Sequence, residues 1–283
     1  MGRRLGQHFL ADPAILDRIV DALEPHPNDV VIEIGPGRGT LTWRLAPRVG
    51  RVVAIERDPR LAAALRREDV QRATYNVQRG VRVSLPRNVT VVEGDALKLH
   101  WPDLLAAQPL HVARCTLHAF KVIGNIPYYI TTPLIEKALS PPLPEVIVFL
   151  VQKEVAERLA AAPGSKTYGA LSAGVQAIAS VERLFRVSKG AFRPPPKVDS
   201  ALVRLRPLGE PLVAEPEREA WRRFLARLFS QRRKQLGHSL RALSGRTKGA
   251  VEAALMELQV EPAMRPELLA PQALVRLFRT VAR

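Results

Sequence analysis

Cysteine is all but missing: Cys115 is the only one in 283 residues, so no intramolecular disulfide can form and the chain suits a reducing compartment. Long apolar runs are missing too. The longest, residues 146–151, is far too short to cross a bilayer. The opening Met1-Gly2-Arg3-Arg4 leads into no apolar signal core, and Gly6 stands where a myristoylation signal wants Ser or Thr. A cytoplasmic protein with no membrane partner is expected, acting as a monomer. No internal repeat or low-complexity tract occurs. Acidic side chains are scarce beside basic ones: 27 Asp and Glu against 43 Lys and Arg leave a formal net charge of +16 and a pI near 10.9. Such a surface attracts polyanions, with an affinity that falls steeply with salt. Arg outnumbers Lys 34 to 9, so genome composition is a blander source of the excess; nucleic acid is the partner the charge favours.

What the chain does have is an alternation. Short β-rich apolar runs at 30–34, 52–55, 89–92, 121–123 and 146–151 are separated by helical patterns such as 39–46, 59–67, 133–139 and 153–161. That order predicts a parallel sheet built from βαβ units, an α/β fold. Two further runs, 181–187 and 200–205, follow each other without a helix and predict an antiparallel pair at the sheet edge. Residues 190–197, with three successive prolines, read as a rigid loop between them. A second Pro-rich stretch, 207–216, reads as a linker, dividing a domain of residues 1–207 from a helical one of residues 208–283. In the latter Trp221, Phe224, Leu225, Leu228 and Phe229 fall at i, i+3, i+4, i+7 and i+8, one apolar stripe. Arg222, Arg223 and Arg227 lie off it, and Arg232, Arg233 and Lys234 follow. With 14 basic residues against 8 acidic, this tail is expected to be a small all-α domain with a basic, RNA-contacting face.

Between the first strand and its helix stands Glu33-Ile34-Gly35-Pro36-Gly37-Arg38-Gly39-Thr40. Gly35 and Gly37 permit a tight turn and close approach of backbone to ligand. A dinucleotide fingerprint needs a third glycine where Thr40 stands, and no Lys-Ser/Thr pair of the P-loop kind follows. A glycine turn beside an acidic residue better suits a cationic ligand without phosphate, such as S-adenosylmethionine. Glu56 ends the second strand, where a carboxylate can accept from two ribose hydroxyls. Asp95, in Glu93-Gly94-Asp95-Ala96, ends the third, where it can accept from an adenine amino group. Each carboxylate alone also reads as a helix N-cap; three acidic positions at successive strand ends favour a shared ligand.

The fourth strand runs into Asn125-Ile126-Pro127-Tyr128. Adenine N6 is a poor nucleophile because its lone pair is delocalised into the ring. Accepting both N6 hydrogens favours a more tetrahedral nitrogen, and an Asn oxygen with a neighbouring backbone carbonyl provides two neutral acceptors. Pro127 stiffens that backbone, and an adjacent aromatic ring can stack an extruded base. A carboxylate would also accept, but Asn adds no charge beside a sulfonium losing its own. In isolation the motif also reads as a strand-end turn with a packed Tyr.

Together with Gly6-Gln7-His8-Phe9-Leu10, the run Phe192-x-Pro194-x-Pro196-Lys197-Val198-Asp199-Ser200 and Phe229-Ser230-Gln231-Arg232-Arg233-Lys234, these motifs occur in the order seen in the small-subunit rRNA adenine N6,N6-dimethyltransferases, which the chain resembles over about residues 6–236. The resemblance implies a Rossmann-like S-adenosylmethionine-dependent methyltransferase domain with a helical C-terminal domain. It also implies a substrate, two adjacent adenines in the loop near the 3′ end of small-subunit (16S) rRNA, met on the small ribosomal subunit or its precursor during biogenesis. By position His8 and Leu10 would contact the cofactor's methionyl end, Gly35 and Gly37 the loop side, Glu56 the ribose and Asp95 the adenine. Asn125 would stand at the reaction centre, Ile126 would lend its carbonyl, and Tyr128 and Phe192 would flank the target base.

His8 departs from the Asn common in that family, and the stretches 71–87 and 104–118 are longer than usual and read as surface loops. His111, Cys115 and His118 have no fourth partner of metal-ligand type nearby, so no metal is expected. Glu154 and Glu157 read as a helix face rather than an acid/base pair. Competing functions are a large-subunit rRNA adenine methyltransferase, a DNA adenine methyltransferase, an assembly factor with little turnover, and a nicotinamide dehydrogenase, the last disfavoured by the glycine spacing.

Overall fold

The computed structural model describes residues 8–66, 85–106, 120–231 and 234–281. Most of the loops 71–87 and 104–118, the His111, Cys115 and His118 cluster, Gly6, Gln7, Arg232 and Arg233 lie outside the described residues. Two units divide the chain: Met1–Lys153 with Glu182–Arg206, and Glu154–Val181 with Pro207–Arg283.

In the first unit a short strand β1 (Phe9–Leu10) precedes helix α1 (Pro13–Ala22). Asp12 closes the first turn of α1 by accepting from the Ile15 amide at 3.1 Å, and Pro13 pre-sets the first helical residue. Strand and helix then alternate through β2 (Val30–Ile34), α2 (Thr42–Leu45), β3 (Arg51–Glu56), α3 (Pro59–Arg66), β4 (Val89–Glu93), α4 (Trp101–Ala106), β5 (Phe120–Asn125), α5 (Thr131–Ala138) and β6 (Val146–Gln152). The chain continues through α6 (Lys153–Leu159), α7 (Ala170–Gln176), β7 (Ala179–Val187), β8 (Phe192–Arg193) and β9 (Ser200–Pro207).

Seven strands form one sheet in the order β4-β3-β2-β5-β6-β9-β7, while β1 pairs with β8 apart from it. The pairings β3–β4, β2–β3, β2–β5 and β5–β6 are parallel, and β9 runs antiparallel to β6 with β7 beyond it at the edge. Every residue of β2 and β3 is buried, which is why residues 30–32 and 52–55 read as apolar runs rather than alternations. Buried cations stand at two strand starts with partners in place. Arg51 donates to the carbonyls of Leu104 and Leu105 at 3.0 and 3.1 Å; Lys121 Nζ donates to the Glu24 carbonyl at 2.7 Å and the Asp29 carboxylate at 2.8 Å. The α/β expectation holds.

The second unit is helical: α6, α7, α8 (Arg218–Ser230), α9 (Leu236–Ser244), α10 (Lys248–Glu257) and α11 (Pro271–Val281). The stripe on α8 is buried at all five positions. Trp221 stacks on Phe224 with centroids 5.9 Å apart, and Phe278 of α11 meets Trp221 edge-on at 5.5 Å. Where a linear reading divides the chain once, after residue 207, this unit also takes in 154–181, because α7 packs on α8 and α11. Among the described residues no helix is long and apolar enough to cross a membrane.

Trp221 anchors the aromatic cluster, so Trp221→Ala should cost about 3–5 kcal/mol, the range for emptying a large aromatic site. Equilibrium urea unfolding checks this: a variant with the wild-type midpoint would show that the cluster is not what holds the helices.

Candidate active site

Strand order reverses between β2 and β5. From β2 the sheet grows one way through β3 and β4, from β5 the other way through β6. At such a point the loops leaving the carboxyl ends diverge and open a crevice. The register sets Ile34 opposite Gly124, so residues 35 and 125 begin the two loops side by side. A Cβ built on Gly35 would stand 3.9 Å from the Asn125 carbonyl oxygen. The crevice is a cavity of about 800 Å³, and its walls include His8, Leu10, Gly35, Gly37, Glu56, Asn125, Ile126, Pro127, Tyr128 and Phe192. Asp95 is the expected site residue that does not line it.

The glycine turn is built by Gly35, Gly37 and Gly39, all at positive φ. Gly37 has a second constraint: a Cβ there would come within 2.9 Å of the Phe9 ring. Its amide donates to Glu56 Oε2 at 2.9 Å, while Glu56 Oε1 accepts from the Asp58 amide at 2.8 Å. Glu56 thus ties the turn to its own strand end. At 4% exposure its burial raises the carboxyl pKa above the usual value, against the pull of the backbone amides. Deeper still, Glu33 is 1% exposed and its Oε2 has no protein partner. Burial pushes its pKa up to about 7, and the nearby charge of Glu56 acts in the same direction.

Across the cavity the Asn125 amide is oriented by one hydrogen bond. Its Nδ2 donates to the His8 carbonyl at 3.1 Å; a carbonyl only accepts, so the amide oxygen is the end left free. His8 Nδ1 lies 2.9 Å from the Pro194 carbonyl, which by the same rule makes Nδ1 the protonated ring nitrogen. The His8 ring stacks against Tyr128 at 6.4 Å and 30°, and the Tyr128 hydroxyl is 3.2 Å from Ser200 Oγ. The Ile126 amide donates to Leu150 at 3.0 Å, fixing the backbone between Asn125 and Pro127. Phe192, fully buried against the core yet on the cavity wall, is positioned by the pairing of β8 with β1, which sets it opposite Leu10.

Asp95 sits just past β4. Its Oδ1 accepts from the Leu97 amide at 3.0 Å, a local turn of the capping kind, and its Oδ2 is 3.8 Å from Arg57 Nη1. The structure therefore gathers the glycine turn, Glu56 and the Asn125 motif around one cavity, with Asp95 3.8 Å from Arg57 of its lining. It also adds lining residues that sequence reasoning did not assign, Phe9, Thr40, Arg57 and Tyr129, and gives Glu33 a place inside. Phe9 was within reach, since it lies between two assigned residues. Arg57 and Tyr129 carry no spacing signal.

The family pattern described as ribosomal RNA adenine dimethylase matches residues 2–283. "Ribosomal RNA small subunit methyltransferase A" of Synechococcus elongatus is 40% identical over 274 residues, covering 94% of this chain and 90% of its own. The protein of the same name from Halothermothrix orenii is 37% identical over 280 residues, covering 98% and 87%. Among solved structures, a dimethyladenosine transferase from Plasmodium falciparum is similar with a TM-score of 0.73 at 28% identity, covering 95% of this chain and 96% of that one. The 23S rRNA methyltransferase ErmE is similar with a TM-score of 0.68 at 29% identity, covering 97% and 100%.

The buried Glu33 has a pH signature. Its pKa is about 7 when folded and 4.5 as the ordinary value, so between these the folded chain keeps a proton that the unfolded chain has released. Stability therefore falls as pH rises through that window. Glu33→Gln should flatten the fall without abolishing it, because Glu56 is shifted the same way. Denaturant midpoints measured from pH 4.5 to 7.5 decide the matter; identical slopes in variant and wild type would refute the assignment.

Proposed function

The chain belongs to the ribosomal RNA adenine dimethylase family, and from that premise we propose that its cavity transfers methyl groups from S-adenosylmethionine to N6 of two adjacent adenines in the loop near the 3′ end of small-subunit (16S) rRNA. The partner is the small ribosomal subunit or its precursor, met in the cytoplasm by a monomer whose basic helical unit contacts RNA.

One observation carries the reading: the Asn125 amide is held by its nitrogen, so its oxygen is offered to the cavity at the edge of the glycine turn. Asn125 Oδ1 and the Ile126 carbonyl accept the two N6 hydrogens of the target adenine. That pulls the nitrogen toward a tetrahedral geometry and frees its lone pair. Tyr128 and Phe192 flank the base. The methylated nitrogen then loses its surplus proton to water, so the chain needs no general base.

The inner wall fits the cofactor. A buried carboxylate oxygen without a protein partner, on Glu33, suits a cation, and the wall offers no phosphate cradle. When bound, S-adenosylmethionine supplies a methyl group activated by its sulfonium. Glu56, held by the backbone amides of Gly37, Asp58 and Arg57, keeps a lone pair for a ribose hydroxyl. His8 and Leu10 take the methionyl end, Gly35 and Gly37 the loop side. Asp95, 3.8 Å from the lining residue Arg57, takes the adenine.

The likeness to ErmE favours a second reading, large-subunit rRNA as the substrate. Incubating unmethylated small and large subunits with labelled cofactor and mapping the modified nucleotides separates the two: label on two adjacent small-subunit adenines is expected, and label confined to the large subunit would overturn the first reading. Asn125→Ala should leave RNA binding intact and lower methyl transfer by about 100-fold or more, the usual effect of removing one preorganised polar group. Wild-type transfer by that variant would overturn the mechanism.

A further inference from the structure

Four large apolar side chains are exposed among the described residues, Tyr129, Val198, Met256 and Leu268, and Tyr129 is the one that also lines the cavity. It is 60% exposed, whereas the adjoining Tyr128 is partly buried, bonded to Ser200 and stacked on His8. Tyr129 sits in the 3₁₀ turn Tyr128–Ile130 immediately after Pro127, on backbone that Pro127 and the bonded Ile126 amide hold still. Its hydroxyl is 3.4 Å from Nη1 of Arg57, an exposed guanidinium that also stands 3.8 Å from the Asp95 carboxylate. No part of the chemistry described so far uses either side chain.

We propose that Tyr129 and Arg57 form a receiving platform at the rim of the cavity for the nucleotide next to the target adenine, its base stacked on the Tyr129 ring and its phosphate on Arg57. The inference rests on the RNA reading of the cavity and names a subsite beside it. A strand that turns one base into a pocket must lay the neighbouring nucleotide over the rim. An aromatic face beside an exposed cation is the pairing that holds single-stranded nucleic acid, because every base has a π face and every linkage a negative charge. Arg57 directly follows Glu56 in sequence, so the phosphate contact is on the cofactor side of the rim and the stacking contact on the Asn125 side. Because a strand has polarity and the platform stands at one point of the rim, it receives the neighbour on one side only: with one of the two adjacent adenines in the cavity it holds the other, and with that other in the cavity it holds the next nucleotide along.

The test uses the full-length enzyme with unmethylated small subunits. Tyr129→Ala should raise KM for the subunit about 5- to 100-fold, the usual effect of losing one base–aromatic stack, with cofactor affinity unchanged. Tyr129→Phe keeps the ring and should behave as wild type; Tyr129→Trp should rescue. An RNA substrate with an abasic site beside the target adenine should erase the difference between Tyr129→Ala and wild type. Arg57→Gln should lower the slope of log affinity against log salt by about one phosphate contact. Wild-type KM in Tyr129→Ala, or a defect that persists on the abasic substrate, overturns the stacking role; an unchanged salt slope in Arg57→Gln removes Arg57 from the platform. A wild-type enzyme inactive on small subunits would instead overturn the functional reading itself, and the platform with it.

Discussion

Gly124 on β5 lies so near β2 that a Cβ on it would stand 2.7 Å from the Ile34 carbonyl oxygen and 2.8 Å from the Ile126 side chain. Only a residue without a side chain lets the two strands pair at that point, and this is where the order of the sheet reverses. The residues that follow, Gly35 on one side and Asn125 on the other, inherit their adjacency from that pairing. A larger residue at 124 would push the glycine turn and the Asn125 backbone apart before either met a ligand. The geometry of the site is thus set by a backbone approach inside the sheet, one residue back from the chemistry.

Charge is arranged in two shells of opposite sign. The chain as a whole carries +16, yet the cavity's titratable lining includes two buried carboxylates, Glu33 and Glu56, both held toward the protonated form by burial. A cation entering the cavity relieves that cost and draws the carboxylates back to their charged forms. Once charged, the two carboxylates repel a polyanion, which the basic exterior attracts. On the proposed reading, that difference in sign sorts the two ligands, a sulfonium-bearing cofactor inside and nucleic acid across the rim.

Much of this was legible in the residues alone, and the exceptions have physical causes. Buried parallel strands show as apolar runs, glycines at positive φ show as a G-x-G-x-G turn, and the Asn125 to Tyr128 motif follows β5 where the crevice opens. Helix α1 starts on the regular signal Asp12-Pro13, yet it stands outside the strand–helix alternation because only the two-residue β1 precedes it. The pairing of β1 with β8 joins residues more than 180 positions apart through two residues on each side, too short to leave a periodicity. The helical unit draws in 154–181 because packing, unlike a Pro-rich linker, leaves no mark at a single point in the sequence. Asp95 is at the carboxyl end of β4, two strands from the reversal; one of its oxygens caps its own turn and the other stands 3.8 Å from Arg57, a side chain of the cavity lining.

Why position 125 carries an amide rather than a carboxylate has two answers that the structure joins. On the proposed reading the first is electrostatic: a negative group facing the methyl donor would favour the cation before transfer over the neutral thioether after it. The second concerns the other end of the side chain. The Asn125 nitrogen is bound to the His8 carbonyl, so an Asp there would set two acceptors against each other at about 3 Å in a half-buried place. Either the carboxylate would take up a proton to donate, or the strand carrying His8 would move away. Since that strand also places Phe9 against Gly37 and Leu10 opposite Phe192, its displacement would loosen both walls of the cavity at once. The amide is the one group of this size that donates to the β1 segment and still offers an acceptor to the cavity in a single orientation, which makes β1 part of the geometry of the site although the Asn125 motif is carried by β5.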